Sequence, residues 1–288
     1  LIHLPKDMMP LVSNAKSIIV PETKSELIEL AMGGAGADAF EVAYDIPGKG
    51  RVVEAKVDRC RNGISVNYTE AYMRRRDPDS MVIADDSPSD KPKFNERFSG
   101  SFPQLRQEIF DWLGSEDLIV LPFYVGAKEL NIGALLIGPA NASFFTAALA
   151  DIQGMIPKSE LKPGFTPKAI VCLAPTFRHT HCNGKQIVVH NRTKDVHEIF
   201  SLNLYPGPSA KKGIYGVLLA LGEREGWITA HGSTVMVTTP YDNECVFLHE
   251  GASGSGKSEM LQYPHRQPDG RLMIGKNTLT GQKRYIPL

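Results

Sequence analysis

The residues best suited to chemistry form a glycine-rich segment near the carboxyl end of the sequence. Residues 251–258 read GASGSGKS, which fits the phosphate-binding pattern G-x-x-x-x-G-K-[ST]. Glycines allow backbone N–H groups to converge on phosphate oxygens without obstruction by a Cβ atom. Lys257 can reach the β- and γ-phosphates, and the hydroxyl of Ser258 can ligate Mg²⁺. The sequence therefore predicts a site for the phosphates of ATP or GTP with Mg²⁺. The predicted phosphate-binding residues are Gly251, Ala252, Ser253, Gly254, Ser255, Gly256, Lys257, Ser258 and Glu259.

The elements around this segment have the order that the motif requires. Residues 244–248 are an apolar, β-type run, so a strand is predicted directly before the loop. A helix that begins at Lys257 or Ser258 would add the partial positive charge of its N-terminus. Most proteins with such a loop carry it after their first strand, whereas here about 250 residues precede it and only 31 follow Lys257. We therefore expect that the upstream chain supplies the rest of the site, and also that the sequence is a fragment truncated at its C-terminus.

The remaining sequence predicts a mixed α/β fold. Apolar residues recur with helical spacing at residues 24–31, 102–113 and 212–221. Residues 130–150 read as a buried strand, a turn and an amphipathic helix rather than a membrane span, because prolines, glycines and asparagines interrupt the apolar run. The predicted strands are residues 17–20, 51–57, 117–121, 169–173, 186–189, 234–238 and 244–248.

Domain organisation follows from where these patterns stop. A helical pattern ends in the residues Gly-Glu-Arg-Glu-Gly, so we predict an α/β domain at residues 1–225 and the beginning of a nucleotide-binding domain at residues 226–288. Loops are predicted at residues 77–95 and 264–270, which are rich in polar residues and proline. Residues 179–182 read HTHC, but further ligands at metal-site spacing are missing, so a polar loop is predicted there too.

Composition and charge exclude several classes of function. The 32 basic and 32 acidic side chains give a formal net charge of zero, which argues against nucleic acid and anionic membranes as partners. Apolar residues make up 42% and charged residues 22%, the balance of a folded globular protein. The four cysteines lack C-x-x-C spacing, which argues against a disulfide scaffold. With no secretory signal in the first residues, this cysteine usage predicts a cytoplasmic protein.

A longer order of motifs resembles the phosphoenolpyruvate carboxykinase family. Tyr205 opens the segment YPGPSAKKG, residues 225–231 read EGWITAH, and the glycine-rich loop follows at Gly251. The family carries a Tyr-Gly-Gly segment that ends in Lys-Lys, then a helix, a metal-binding histidine, a strand hairpin and a Gly/Ser-rich kinase loop. The Glu-Gly-Trp before His231 is similar to the GTP-dependent branch. Residues 76–86 are more faintly similar to the family's Arg-Ser-Pro-Lys-Asp-Lys segment. The resemblance indicates a divergent branch of the carboxykinase-like superfamily.

The resemblance implies a metal-dependent phosphotransferase that acts on a small carboxylic acid. By position, Lys212 and His231 would ligate a transition metal, typically Mn²⁺, beside the triphosphate, while Ser258 would hold Mg²⁺. A lysine ligates a cation only in its neutral form, which the neighbouring Lys211 would favour. Arg76 would grip the carboxylate of the substrate. The catalytic residues that the resemblance implies are Lys257, Arg76, Tyr205 and Lys211.

Departures from the family pattern leave two points open. The family's Gly-Gly after the tyrosine is Pro206-Gly207 here, so the substrate face is expected to be remodelled. The family's acidic pair should follow a Leu-Ile-Gly-type strand, but residues 272–277 read LMIGKN. Either the acidic pair lies beyond Leu288 or it is lost. The reactive cysteine of the GTP-dependent loop is replaced by Ser255.

Two other functions compete with a carboxykinase-type enzyme. Residues 251–259 also resemble the loop of HPr kinase/phosphorylase, including Glu259, so a protein kinase is the alternative enzyme. That family shares the carboxykinase-like nucleotide domain, but the series Tyr205, Lys212 and His231 favours the carboxykinase. If the second acid is lost, the third interpretation is a non-catalytic nucleotide-binding module that acts as a sensor or scaffold.

Overall fold

The computed structural model describes two compact units, Leu1–Leu221 and Gly222–Leu288. Both contain strands, and helices flank the central sheet of the first unit, so the predicted mixed α/β class is confirmed. Within the described part of the chain, no helix is long and apolar enough to cross a membrane. The described residues are 2–70, 80–126, 128–238, 244–252, 255–257, 269–276 and 283–286.

The first unit holds most of the secondary structure. Its helices are α1 (Met9–Ser13), α2 (Lys24–Ala31), α3 (Phe94–Arg97), α4 (Phe102–Leu113), α5 (Ser143–Gln153) and α6 (Phe177–His181). Its strands are β1 (Ser17–Ile19), β2 (Ala39–Ile46), β3 (Gly50–Cys60), β4 (Gly63–Tyr68), β5 (Met81–Ile83), β6 (Asp117–Tyr124), β7 (Gly133–Pro139), β8 (Ala169–Leu173), β9 (Val188–Arg192) and β10 (His197–Ser201). A π-helical turn (Gly207–Lys211) leads into α7 (Lys212–Glu225), in which the division between the units falls. The second unit contains β11 (Gly232–Thr238), β12 (Glu244–Glu250), β13 (Leu272–Lys276) and β14 (Lys283–Ile286).

A mixed seven-stranded sheet forms the centre of the first unit, with strand order β1-β6-β7-β8-β10-β9-β5. The β6–β7 and β9–β10 pairs are antiparallel, and the other neighbours are parallel. Every residue of β7 and β8 is buried, as their continuous apolar sequences favour. Val171 and Leu173 of β8 pack into one core, whereas Ile170 and Cys172 pack into another. The sheet is therefore covered on both faces.

A three-stranded antiparallel sheet, β2-β3-β4, packs onto the core that also contains side chains of α2 and α5. Its pairing shifts in the middle: Val42 lies opposite Ala55, but Ala43 lies opposite Val53. Glu54 is thus the extra residue of a β-bulge, a feature that re-aims side chains. As a result, Glu54 and the next residue are both buried.

Several elements have the bounds that the sequence predicts. The helices α2 and α4 and the strand β8 begin and end where their patterns do. Each of the two helices is capped by a hydroxyl residue, Thr23 or Ser101, whose side chain accepts a backbone N–H of the first turn. Residues 130–150 contain β7, a 3₁₀ turn and most of α5, as predicted.

The prediction of a loop over residues 77–95 is wrong at residues 81–83 and at residues 94–95. Met81–Ile83 form β5, which pairs in parallel with β9 at the edge of the main sheet, and α3 begins at Phe94. The strand has only three residues, which is too short for a sequence pattern to indicate it. It is a strand because it pairs with β9. Residues 77–79, and residues 264–268 of the other predicted loop, lie outside the described residues.

Candidate functional site

The predicted phosphate-binding loop leaves the second strand of a hairpin in the second unit. β11 and β12 pair in antiparallel fashion, with Gly232 opposite Glu250. The strand predicted before the loop is confirmed and continues to Glu250. The pairing extends one residue further, because the backbone N–H of Gly251 donates to the carbonyl oxygen of His231 at 3.4 Å. The loop therefore starts from a fixed edge of a two-stranded sheet.

The side chain of Lys257 folds back over this loop. Its Nζ donates to the carbonyl oxygens of Gly251 at 2.6 Å and Ala252 at 2.7 Å, and lies 3.3 Å from Oγ of Ser255. The backbone N–H of Ser255 donates to the carbonyl oxygen of Ala252 at 3.2 Å, so two residues that Lys257 contacts are also joined to each other. A positive charge is thus held against the backbone of the loop, which suits the binding of an anion.

Two glycines of the loop occupy positions where a side chain would interfere. A Cβ atom at Gly251 would lie 2.7 Å from Oγ of Ser255, so the serine would have to move. Gly256 has a φ angle of +85°, in the left-handed region that glycine adopts without strain. The backbone of the loop is also tied to the hairpin, since Oγ of Ser233 donates to the carbonyl oxygen of Lys257 at 3.4 Å.

Part of the predicted site lies outside the described residues. This applies to Arg76, predicted to grip a carboxylate, and to four residues of the loop motif: Ser253, Gly254, Ser258 and Glu259. Their predicted roles stay predictions.

Tyr205, Lys211 and Lys212 lie in one short segment of the first unit. After β10, Oδ1 of Asn203 accepts the backbone N–H of Tyr205 at 2.7 Å and fixes the turn. A Cβ atom at Gly207 would lie 2.8 Å from the ring of Tyr205, so a glycine there leaves room for the ring. Lys211 ends the π-helical turn and Lys212 begins α7, and both are exposed. These three predicted residues thus lie within eight consecutive positions, at the junction between β10 and α7.

The predicted ligands of Mn²⁺ are His231 and Lys212. His231 is exposed directly before β11 and is joined to the loop through its carbonyl oxygen, and Lys212 belongs to the first unit. Among the described residues, no three His, Cys, Asp or Glu side chains converge as a metal site would require. The strand after which the family's acidic pair is expected is β13, and the next residue, Asn277, is outside the described part of the chain.

The structure contains a buried ionic network that the sequence patterns did not indicate. The bulge on β3 directs the carboxylate of Glu54 toward α6, where it accepts from Nη2 of Arg178 at 2.8 Å and contacts Nε2 of His179 at 2.5 Å. The side chains of these three residues are at most 3% exposed. Nη1 of Arg178 also donates to Glu70 at 3.1 Å, and Nζ of Lys49 lies 3.2 Å from Nδ1 of His179. The network therefore joins the three-stranded sheet to α6.

This network corrects the prediction for residues 179–182. The segment is the end of helix α6 rather than a polar loop. Its two histidines face different acids, because His179 contacts Glu54 whereas Nε2 of His181 lies 2.9 Å from Glu108.

A second buried polar pair crosses from β9 to β10. Nδ1 of His190 lies 2.8 Å from Nε2 of His197, and both residues are buried. Burial, with smaller contributions from His197 and Arg192, lowers the pKa of His190 to about 3, although Asp85 acts in the opposite direction. His190 is therefore neutral in the folded chain at pH values where an exposed histidine would be charged.

The lowered pKa of His190 predicts a loss of stability in weak acid. A histidine with a folded-state pKa below its unfolded value of about 6.5 stabilises the fold above pH 6.5, and this contribution is lost as the pH falls toward 3. Between pH 6.5 and 5 the free energy of unfolding is expected to fall by about 2 kcal/mol through this residue. Urea denaturation of wild type and His190→Gln at several pH values measures the difference, with His3→Gln as the exposed control. Equal pH dependence in wild type and His190→Gln would contradict the prediction.

Fold and site together define a mixed α/β protein whose second unit carries a glycine-rich loop, closed by a lysine, directly after a strand. The sequence matches, over residues 4–288, the family described as Domain of unknown function (DUF4914). The chain belongs to this family. A search of curated proteins finds no match to the chain.

Proposed function

We propose that the chain binds the phosphates of a magnesium-bound nucleoside triphosphate, ATP or GTP, at residues 251–259 and transfers a phosphoryl group. The observation that carries the proposal is the position of Lys257, whose ammonium group lies over the loop backbone at 2.6 and 2.7 Å from two carbonyl oxygens. An ammonium held there has only to exchange these neutral acceptors for phosphate oxygens, which form stronger charge-assisted hydrogen bonds. The strand before the loop and the glycines at 251 and 256 support the same conclusion.

The proposed reaction is of the carboxykinase type, with a small carboxylic acid as the second substrate. Charge that develops on the transferring phosphoryl group has to be neutralised, and this is the main contribution of the protein in such reactions. Lys257 would supply that positive charge from the protein, and Mg²⁺ on Ser258 would supply the rest when bound. Tyr205 and Lys211 are proposed to face the acid, together with Arg76.

We propose Lys212 and His231 as the ligands of a second metal, Mn²⁺. The two donors fit a transition metal in type, since a neutral imidazole is a common ligand. The second candidate function is a non-catalytic nucleotide-binding module, in which the acid that would complete the metal set is lost and binding without turnover is the expected behaviour.

The response to Mn²⁺ separates these functions. If Lys212 and His231 hold the metal, nucleotide hydrolysis or phosphate exchange by the full chain should rise when Mn²⁺ is added to Mg²⁺. His231→Ala should then lower the Mn²⁺-dependent rate at least about tenfold, a loss typical of a weakened metal site. His249→Ala, on the same hairpin, is the matched control and should retain the rate.

Three outcomes of this experiment are informative. A rate that falls with Lys257→Ala but not with His231→Ala removes the second metal and leaves the nucleotide site. Nucleotide binding without any turnover supports the non-catalytic module. A turnover rate that is unchanged by Lys257→Ala contradicts the proposed function.

We also propose a cytoplasmic location, on the state of the cysteines. All four are free thiols, of which Cys60 and Cys245 are exposed. Burial raises the pKa of the Cys182 thiol to about 12, so this residue stays protonated and unreactive. Unpaired, exposed cysteines suit a reducing compartment.

A further inference from the structure

A cavity of about 520 Å³ lies in the first unit between α2, α5 and β4. This volume falls within the range of small-molecule sites, roughly 300–1,000 Å³. One wall of the cavity is a face of α5. The residues on this face have the spacing i, i+3, i+4 and i+7, and they are Phe144, Ala147, Ala148 and Asp151. The two alanines leave the space that larger side chains would fill. The small residues of this face are therefore one cause of the cavity, together with the packing of α2 and β4 around it.

The inner wall of the cavity is aromatic. The ring of Tyr68 lies edge-on to Phe144 at 6.3 Å and to Tyr205 at 6.1 Å between ring centroids. The hydroxyl of Tyr68 donates to the carbonyl oxygen of Leu204 at 3.2 Å, so its polar atom already has a partner in the protein. Leu27 of α2 continues the apolar wall. This part of the cavity suits a large apolar or aromatic group.

Two opposite charges line the same cavity. Nζ of Lys24 lies 3.0 Å from Oδ1 of Asp151, and the two side chains are 55% and 71% exposed. An ion pair this exposed contributes little to stability. Each charge also lies at the less favourable end of its helix, because Lys24 is the first residue of α2 and Asp151 is in the last turn of α5. The stability of the two helices does not account for this arrangement.

We propose that the cavity binds an α-amino acid with a large apolar side chain, in its zwitterionic form. The carboxylate of the ligand would pair with Lys24 at the positive end of α2, and its ammonium group with Asp151 at the negative end of α5. The side chain of the ligand would fill the aromatic wall. A ligand with a single charge would compete for one of the two protein charges and leave the other without its partner, whereas a zwitterion satisfies both.

The proposal is independent of the nucleotide site, because all residues that line the cavity belong to the first unit. Tyr205 and Pro206 form part of the wall. They lie directly before the π-helical turn that carries Lys211, so an occupant would contact the segment predicted to face the acid substrate.

The test is a calorimetric titration of the nucleotide-free chain with L-phenylalanine and three analogues. Saturable binding is expected for L-phenylalanine. Binding at least about tenfold weaker is expected for 3-phenylpropionate and phenethylamine, which each lack one charge, because the loss of a single ionic contact amounts to about tenfold or more in affinity. Glycine, which has both charges but no side chain, is expected to give no detectable heat.

Variants show whether the ligand binds in this cavity, and a control variant distinguishes a loss of binding from a loss of folding. Ala148→Phe fills the cavity and should abolish binding of L-phenylalanine, while Lys24→Met, an exposed change, should weaken it at least about tenfold. Lys56→Met removes a lysine that pairs with Glu41 outside the cavity and should leave the affinity unchanged. The proposal is overturned if none of the ligands binds, if the single-charge analogues bind as tightly as L-phenylalanine, or if folded Lys24→Met retains full affinity.

Discussion

Replacing Lys257 with alanine is expected to weaken the binding of MgATP or MgGTP by about 100-fold. The ammonium group donates to the loop carbonyls of Gly251 and Ala252, and in the proposed function it exchanges these acceptors for phosphate oxygens. A hydrogen bond to a charged group contributes about 1.5–3 kcal/mol, and each 1.4 kcal/mol corresponds to a factor of ten. Titration with a fluorescent nucleotide analogue measures the affinity of both proteins.

The control variant removes a different positive charge from the same unit. Arg271 pairs with Asp269 at 2.6 Å on the surface, and Arg271→Ala should change the affinity less than about threefold. Thermal unfolding of Lys257→Ala should resemble that of wild type, since the contacts of the side chain are local to the loop. Equal affinities for wild type and a folded Lys257→Ala would show that the loop does not hold the phosphates.

Arg178→Met is expected to destabilise the fold by about 3–5 kcal/mol, the typical cost of removing one partner from a buried ion pair. Arg178 and Glu54 are each 1% exposed, and the guanidinium also donates to the carbonyl oxygen of Gly184 at 3.0 Å. Methionine fills a similar volume without the charge, so the carboxylate of Glu54 loses its 2.8 Å contact in a buried environment. The free energy of unfolding from urea denaturation measures the effect.

Two further variants identify the cause of this loss. Arg51→Met breaks a pair with Glu41 between side chains that are 60% and 42% exposed, and should cost less than about 1 kcal/mol. The double variant Arg178→Met/Glu54→Gln also removes the negative charge of Glu54, which Arg178→Met leaves without its arginine partner. The double variant should therefore be more stable than Arg178→Met alone. If Arg178→Met costs no more than Arg51→Met, the network does not join the three-stranded sheet to α6 as described.

The parts of the fold that could be predicted are those with local causes. Apolar spacing and a hydroxyl cap mark α2 and α4, and a continuous apolar run marks β8. The glycine-rich loop belongs to the same class, because Lys257 contacts Gly251 only six residues earlier in the chain. The motif, its strand and the contacts that close it are all contained in one short segment.

The parts that could not be predicted depend on residues distant in sequence. Glu54 and Arg178 are 124 positions apart, and a bulge in β3 decides that the glutamate faces inward. One extra residue in a strand reverses the face of every later side chain, and the sequence of β3 does not mark where it occurs. The three-residue strand β5 likewise exists because β9 lies beside it. The cavity beside α5 depends on three elements whose packing no local pattern specifies.

Hydrogen exchange of the loop amides tests the central claim most directly. The exchange of a peptide covering residues 244–257 is compared in the chain alone and with MgATP, MgGTP, inorganic triphosphate, adenosine or guanosine. The account predicts that at least one nucleotide and inorganic triphosphate slow the exchange of the loop, and that the nucleosides do not, because backbone N–H groups bind phosphate oxygens. Exchange that no phosphate compound changes, or that the nucleosides slow equally, would contradict it.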